Sequence, residues 1–148
     1  MILLLVLEVL TYMKILVIDG QGGRVGRLLI EGLKQQAPQL YITAIGSNSI
    51  ATASMLKAGA DEGATGENPV VFNSATADII VGPIGIILSN ALLGEITPRM
   101  AEAVSSSKAK KILIPINRCN NLVVGIQTLS LPEFVELAIQ EVLQITRE

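Results

Sequence analysis

The stretch from Lys14 to Arg27 constrains this chain more than any other. Ile15-Leu-Val-Ile18 is a continuous branched-aliphatic run of the kind found in central parallel strands covered on both faces. It stops at Asp19-Gly20-Gln21-Gly22-Gly23, and Val25, Leu28, Leu29 and Leu33 then recur at helical spacing up to Gln36, with Pro38 beyond. Gly20, Gly23 and Gly26 stand at Gly-x-x-Gly-x-x-Gly spacing where strand gives way to helix. Glycine there permits a tight turn, lets backbone approach a ligand phosphate and lets the helix pack close to the strand. Free N–H groups and the helix dipole at the same point favour an anion. The same glycines also serve a plain strand-to-helix turn with no ligand at all.

The rest of the chain continues the alternation. Strands are predicted over 40–45, 78–81 and 111–116, and a fifth, at the sheet edge, over Leu122–Ile126. Helices are predicted over 49–58 behind an Asn48 cap, over 69–74, over Ile86–Leu93 ended by Gly94, and from Thr97-Pro98 to about Ser105. A final helix opens with the capping box Ser130-Leu-Pro-Glu133. The polar, glycine-rich stretch 61–68 reads as a shaped loop. Together these predict an α/β chain: one Rossmann-like domain with a mainly parallel sheet and helices on both faces. In such sheets ligands sit beyond the carboxyl ends of the strands near a switch in strand order.

Composition narrows the function. Eleven basic against 13 acidic residues leave no excess of charge for a nucleic acid backbone, and 3% aromatic content offers no stacking platform. The absence of histidine excludes Ser-His-Asp and Cys-His mechanisms and histidine metal sites. One cysteine, Cys119, rules out an internal disulfide and suits a reducing, cytoplasmic setting. At 148 residues the chain has room for one domain, assigned here to 13–148. The apolar leader 1–12 is broken by Glu8 and is too short to span a bilayer. Met13 directly before the first strand points to a start there; the alternatives are a segment that packs on the domain or on a second subunit, or a poor signal peptide. Half the residues are apolar and only 16% charged, which predicts a homodimer burying an aliphatic helix face or the edge strand around Leu122–Ile126.

The strand ends collect the candidate site residues. For a nucleotide or phosphate ligand these are Gly20, Gln21, Gly22, Gly23, Arg24, Val25 and Gly26 in the first turn, Ser47 and Asn48 after the second strand, Gly82, Pro83 and Gly85 after the third, and Asn117 and Arg118 after the fourth. Arg24 and Arg27 can supply charge. A ribose-binding Asp or Glu is missing after the second strand, where Gly46-Ser47-Asn48 stands instead. That suits NADP, another nucleotide, or no adenosine; NAD and NADP are the candidate cofactors. Asp19 would repel a phosphate unless it meets a sugar hydroxyl, a metal-bound water or a backbone N–H, and a turn-forming role fits it equally. Cys119 beside Arg118 is a candidate nucleophile, with a buried thiol as the ordinary alternative. Glu67, Asn68 and Glu95 are candidate acid/base or ligand-ordering groups, or else solvated loop and cap residues.

The segments VIDGQGG at 17–23, LKAGADEGATGEN at 56–68, IIVGPIGI at 79–86, LGEIT at 93–97 and KKILIPINRCN at 110–120 resemble a family of short bacterial proteins known as a domain of unknown function. The resemblance covers the chain from about Met13 to the last helix, departs from the family's usual start in residues 1–12, and implies these segments as the site without naming an activity. The run Gly20–Arg27 is also similar to the opening of dihydrodipicolinate reductases and other NADP-dependent reductases, over that one turn; their substrate domain has no counterpart in a chain of this length. Two functions follow as expectations: a binding or sensor module for a nucleotide or phosphate-bearing small molecule, or a small NAD(P)-dependent reductase completing its site across subunits.

Overall fold

The computed structural model describes Ile2, residues 12–116 and residues 120–147. The chain builds β1 (Ile15–Asp19), α1 (Arg24–Gln36), β2 (Ile42–Gly46), α2 (Ser49–Lys57), β3 (Glu62–Thr65), α3 (Glu67–Ser74), β4 (Ile79–Pro83), a 3-10 turn (Ile84–Ile87), α4 (Pro98–Ser106), β5 (Lys110–Ile114) and α5 (Leu131–Thr146). The five strands form one parallel sheet in the order β3-β2-β1-β4-β5. This is the α/β, Rossmann-like architecture expected from the alternation of runs.

Strand alternation divides the core into two layers. Ile15 and Val17 of β1 join Leu29 and Leu33 of α1, Met55 of α2, and Ile139 and Val142 of α5 on one face. Leu16 and Ile18 join Val70 of α3 and Met100 and Val104 of α4 on the other. Every one of these side chains is at most 2% exposed, and each contributes roughly 1.5–3 kcal/mol on leaving water. Three expected caps hold α2, α4 and α5: Asn48 Oδ1 accepts from Ala51 N, Thr97 Oγ1 from Met100 N, and Ser130 Oγ from Glu133 N. Gly23 precedes α1 at φ 75°, a left-handed conformation that side-chain-bearing residues avoid, and a Cβ there would press on the Ala51 backbone at 2.9–3.0 Å.

Three expectations about elements need correction. The stretch 61–68 is no loop: residues 62–65 form β3, whose backbone pairs with β2 while its faces stay largely exposed, so pairing on one edge suffices and no apolar alternation marks it. Residues 86–93 are not a helix. The 3-10 turn ends at Ile87 and the chain then folds back with Asn90, Leu92, Leu93 and Gly94 all at positive φ, which buries Ile86, Ala91, Leu92 and Ile96 on a path that an α-helix cannot follow. Leu122–Ile126 is not a strand: it pairs with nothing in the sheet, and Leu122 and Val124 are exposed. Among the described residues β5 is therefore the edge strand on that side.

Candidate functional site

Chain order and sheet order part company between β1 and β4. From β1 the chain winds outward through β2 to β3, then returns to lay β4 on the other side of β1. At such a reversal the two connections leave in opposite directions and open a crevice above the carboxyl ends of the strands. Here it is a cavity of about 210 Å³ lined by Asp19 to Val25, Pro83, Leu92, Ile116 and Leu131. The first residues of both α1 and α5 border it, so two helix N-termini converge on one space, which sequence spacing does not reveal.

Asp19 turns out to be the internal clamp of the first turn. It is 3% exposed; Oδ1 accepts from Gly20 N and Oδ2 from Gly26 N, both at 2.7 Å. A carboxylate at the end of β1 thus caps α1 in place of a ligand. Burial pushes the Asp19 carboxyl up to about 6, against the pull of the backbone N–H bonds and with the help of the nearby Glu95 charge.

A second carboxylate braces the first turn from outside the cavity lining. Glu95, carried in by the fold-back after β4, receives three hydrogen bonds on Oε1: Gln21 N at 3.0 Å, Ser47 Oγ at 2.7 Å and Asn48 Nδ2 at 2.6 Å. Asn48 Nδ2 also donates to Gln21 O at 2.9 Å. Partial burial alone would raise the Glu95 carboxyl, but the bonds from Ser47, Asn48 and the Gln21 amide prevail and hold it below its usual range. Ser47 and Asn48 are therefore held by a carboxylate of the same chain.

The turn's amides are thus only partly available to an anion. Those of Gly20, Gln21 and Gly26 are engaged by Asp19 or Glu95, and that of Gly23 bonds Gly20 O. Among the described residues the amides of Gly22 and Arg24 bond nothing, and a Cβ at Gly22 would meet no atom within 4 Å. The exposed Arg24 side chain likewise has no partner there, whereas Arg27 is taken by Glu31 at 3.3 Å.

The other candidates scatter. Gly82 is buried in β4, and Gly85 is buried against Ala91 rather than at the cavity. Glu67, in the first turn of α3, accepts a 2.6 Å bond from Thr97 Oγ1 and ties α3 to α4. Asn117, Arg118 and Cys119 lie outside the described residues. Among the described residues no group of three or more Cys, Asp or Glu is placed to hold a metal ion, and no helix is long and apolar enough to cross a membrane.

An all-parallel, doubly wound sheet with its cavity at the strand-order reversal defines a Rossmann-like α/β protein. Residues 14–147 match the family described as a domain of unknown function, DUF3842, and the chain belongs to that family. No curated protein matches the chain. Among solved structures it aligns with a dodecameric FMN-dependent UbiX-like decarboxylase from Escherichia coli O157:H7, at 16% identity over 86% of this chain and 75% of that one, with a TM-score of 0.45.

Proposed function

We propose that this protein is a binding module for a phosphate-bearing small molecule of the nucleotide class, held in the cavity between the first turn and Pro83. The observation that carries this reading is the pair of open amides, Gly22 and Arg24, at the start of α1 where the strand order reverses. The Arg24 side chain, which has no partner among the described residues, adds the positive charge that a phosphate needs beside the turn. A space of about 210 Å³ falls below the roughly 300–1,000 Å³ typical of small-molecule pockets. It therefore favours one phosphate-bearing moiety, as in a mononucleotide, over both halves of NAD or NADP.

Isothermal titration with inorganic phosphate, pyrophosphate, nucleoside 5′-monophosphates, NAD and NADP tests this. Phosphate compounds are expected to bind, and Arg24→Glu to weaken them at least about tenfold, the value of one charge-assisted hydrogen bond. Absence of binding to every phosphate compound at millimolar concentration, or equal binding by Arg24→Glu, would overturn the reading.

We also propose that the chain self-associates through the β5 edge and the neighbouring face of α5. Among the described residues no strand lies on the outer side of β5, and Leu137, Leu122 and Val124 are 55%, 84% and 92% exposed. Sedimentation equilibrium should give a mass of at least twice 15.7 kDa at micromolar concentration. The monomer mass at all concentrations is the contrary result.

A further inference from the structure

We propose that Glu95 is a sugar-diol acceptor: a ribose-bearing phosphate ester places its phosphate in the cavity on the Gly22 and Arg24 amides and extends past Gln21, out of the cavity, so that its hydroxyls bond the free Oε2 of Glu95. The inference rests on the phosphate-binding reading above and names the class of ligand within it.

Three donors from two segments, the Gln21 amide and the Ser47 and Asn48 side chains, converge on Oε1 alone. Oε2 accepts no bond from the described residues, and it is not sealed from solvent. A glutamine would satisfy a latch that needs one acceptor oxygen. Glutamate brings a second oxygen, two further lone pairs and a half-buried charge, all of which a pair of hydroxyl donors would satisfy.

The position agrees. Nucleotide-binding α/β folds hold ribose hydroxyls on an acid at the end of the second strand. That strand end here carries Gly46-Ser47-Asn48, and the carboxylate of Glu95 arrives in the same place from the connection after β4. Its Oε1 lies 3.0 Å from Gln21 N, and the open Gly22 amide is the next one along the chain, so the carboxylate and the open amides flank the same turn. A ribose laid across that turn brings its hydroxyls towards Glu95 and its 5′-phosphate towards Gly22 and Arg24.

Two further features fit a ligand-facing part. The fold-back that delivers Glu95 holds Leu92 and Leu93 at φ 56° and 57°, a conformation unfavourable for leucine and concentrated at functional positions. With Glu95 ionised, the same spot accepts hydroxyls and repels a phosphate, which discriminates against a 2′-phosphorylated sugar.

Glu95→Gln is the appropriate variant, since its side-chain oxygen keeps the three bonds and only Oε2 is replaced by a donor. Isothermal titration is run on both proteins with inorganic phosphate, the four ribonucleoside 5′-monophosphates, their 2′,3′-dideoxy counterparts and adenosine 2′,5′-bisphosphate. The wild type is expected to bind at least one ribonucleotide about tenfold or more tighter than its dideoxy form and to disfavour the bisphosphate. In Glu95→Gln that preference should fall below about threefold, with inorganic phosphate bound no more weakly than by the wild type. Equal binding of ribo and dideoxy forms by the wild type overturns the inference while leaving the phosphate reading standing. So does a Glu95→Gln protein that binds inorganic phosphate about tenfold tighter with its sugar preference intact, because Glu95 would then be a plug competing for the turn. Failure of inorganic phosphate and of every nucleotide to bind removes the phosphate reading and the inference together.

Discussion

Gly82→Ala is expected to destabilise the protein by about 3 kcal/mol or more, a fifth or more of the roughly 5–15 kcal/mol that holds an ordinary domain together. Gly82 sits in β4, inside the sheet, and a Cβ built on it runs into the carbonyl oxygen of Ile18 in β1. The obstacle is backbone, so no rotamer change relieves it. Either β1 and β4 separate, which breaks the parallel ladder from Ile15↔Ile79 to Val17↔Val81, or the strand bends away from β5. Separation would also reshape the cavity mouth, because Asp19 and Pro83 are the last residues of the two strands. Gly22→Ala is the matched control: an added methyl meets nothing within 4 Å, and stability should change by no more than about 0.5 kcal/mol. Urea unfolding of both variants gives the comparison. A Gly82→Ala protein within about 1 kcal/mol of wild type would show that β1 and β4 part easily at this level.

The parts of the fold legible in the sequence are those decided locally. β1, the first turn and α1 are marked by a change of period from a continuous run to helical spacing, with glycines at the junction. The caps Asn48, Thr97 and Ser130 are legible because a side-chain oxygen meets an amide three residues on, and chain geometry fixes that contact. β3 is not legible, because an edge strand with exposed faces is held by backbone bonds to β2 that carry no side-chain signature. Leu122–Ile126 misleads in the opposite sense: its aliphatic run has strand composition but no neighbouring strand to pair with.

The same division applies to the site. The glycine turn and Asp19 adjoin in sequence and were legible as a unit. The partners of Glu95 lie 74, 48 and 47 residues away, so its role depends on a fold-back whose course the apolar composition of 86–93 conceals. Asp19 also shows how a local reading falls short. Its bond to Gly20 is the turn-forming contact expected of an Asp there, but its bond to Gly26 spans seven residues and makes it the cap of α1.

That placement of Asp19 has a measurable consequence for stability. Its carboxyl, ordinarily at 3.8, stands at about 6 in the folded protein, chiefly because burial disfavours the charge. A raised folded value means that the native state holds the proton more tightly than the unfolded chain. The contribution is therefore fully present below pH 3.8 and is lost as pH rises through about 6. The whole span corresponds to about 3 kcal/mol, and the part between pH 7.5 and pH 5 to about 1 kcal/mol, with the protein more stable at pH 5. Asp61 and Glu95 act in the opposite sense: burial would raise both, but hydrogen bonds, including Lys34 on Asp61, hold them below their ordinary values. Their stabilisation is lost only at lower pH, so the interval between about 5 and 7 is left to Asp19. Urea unfolding of the wild type should show that difference of about 1 kcal/mol. Asp19→Asn should show little or none, while forfeiting about 1–3 kcal/mol at pH 5 because its amide cannot accept from both Gly20 and Gly26. A wild type whose stability is flat from pH 5 to 7.5, or an Asp19→Asn protein that keeps the same slope, would mean that Asp19 is solvated well enough to ionise normally and that the clamp on α1 is looser than its two 2.7 Å bonds indicate.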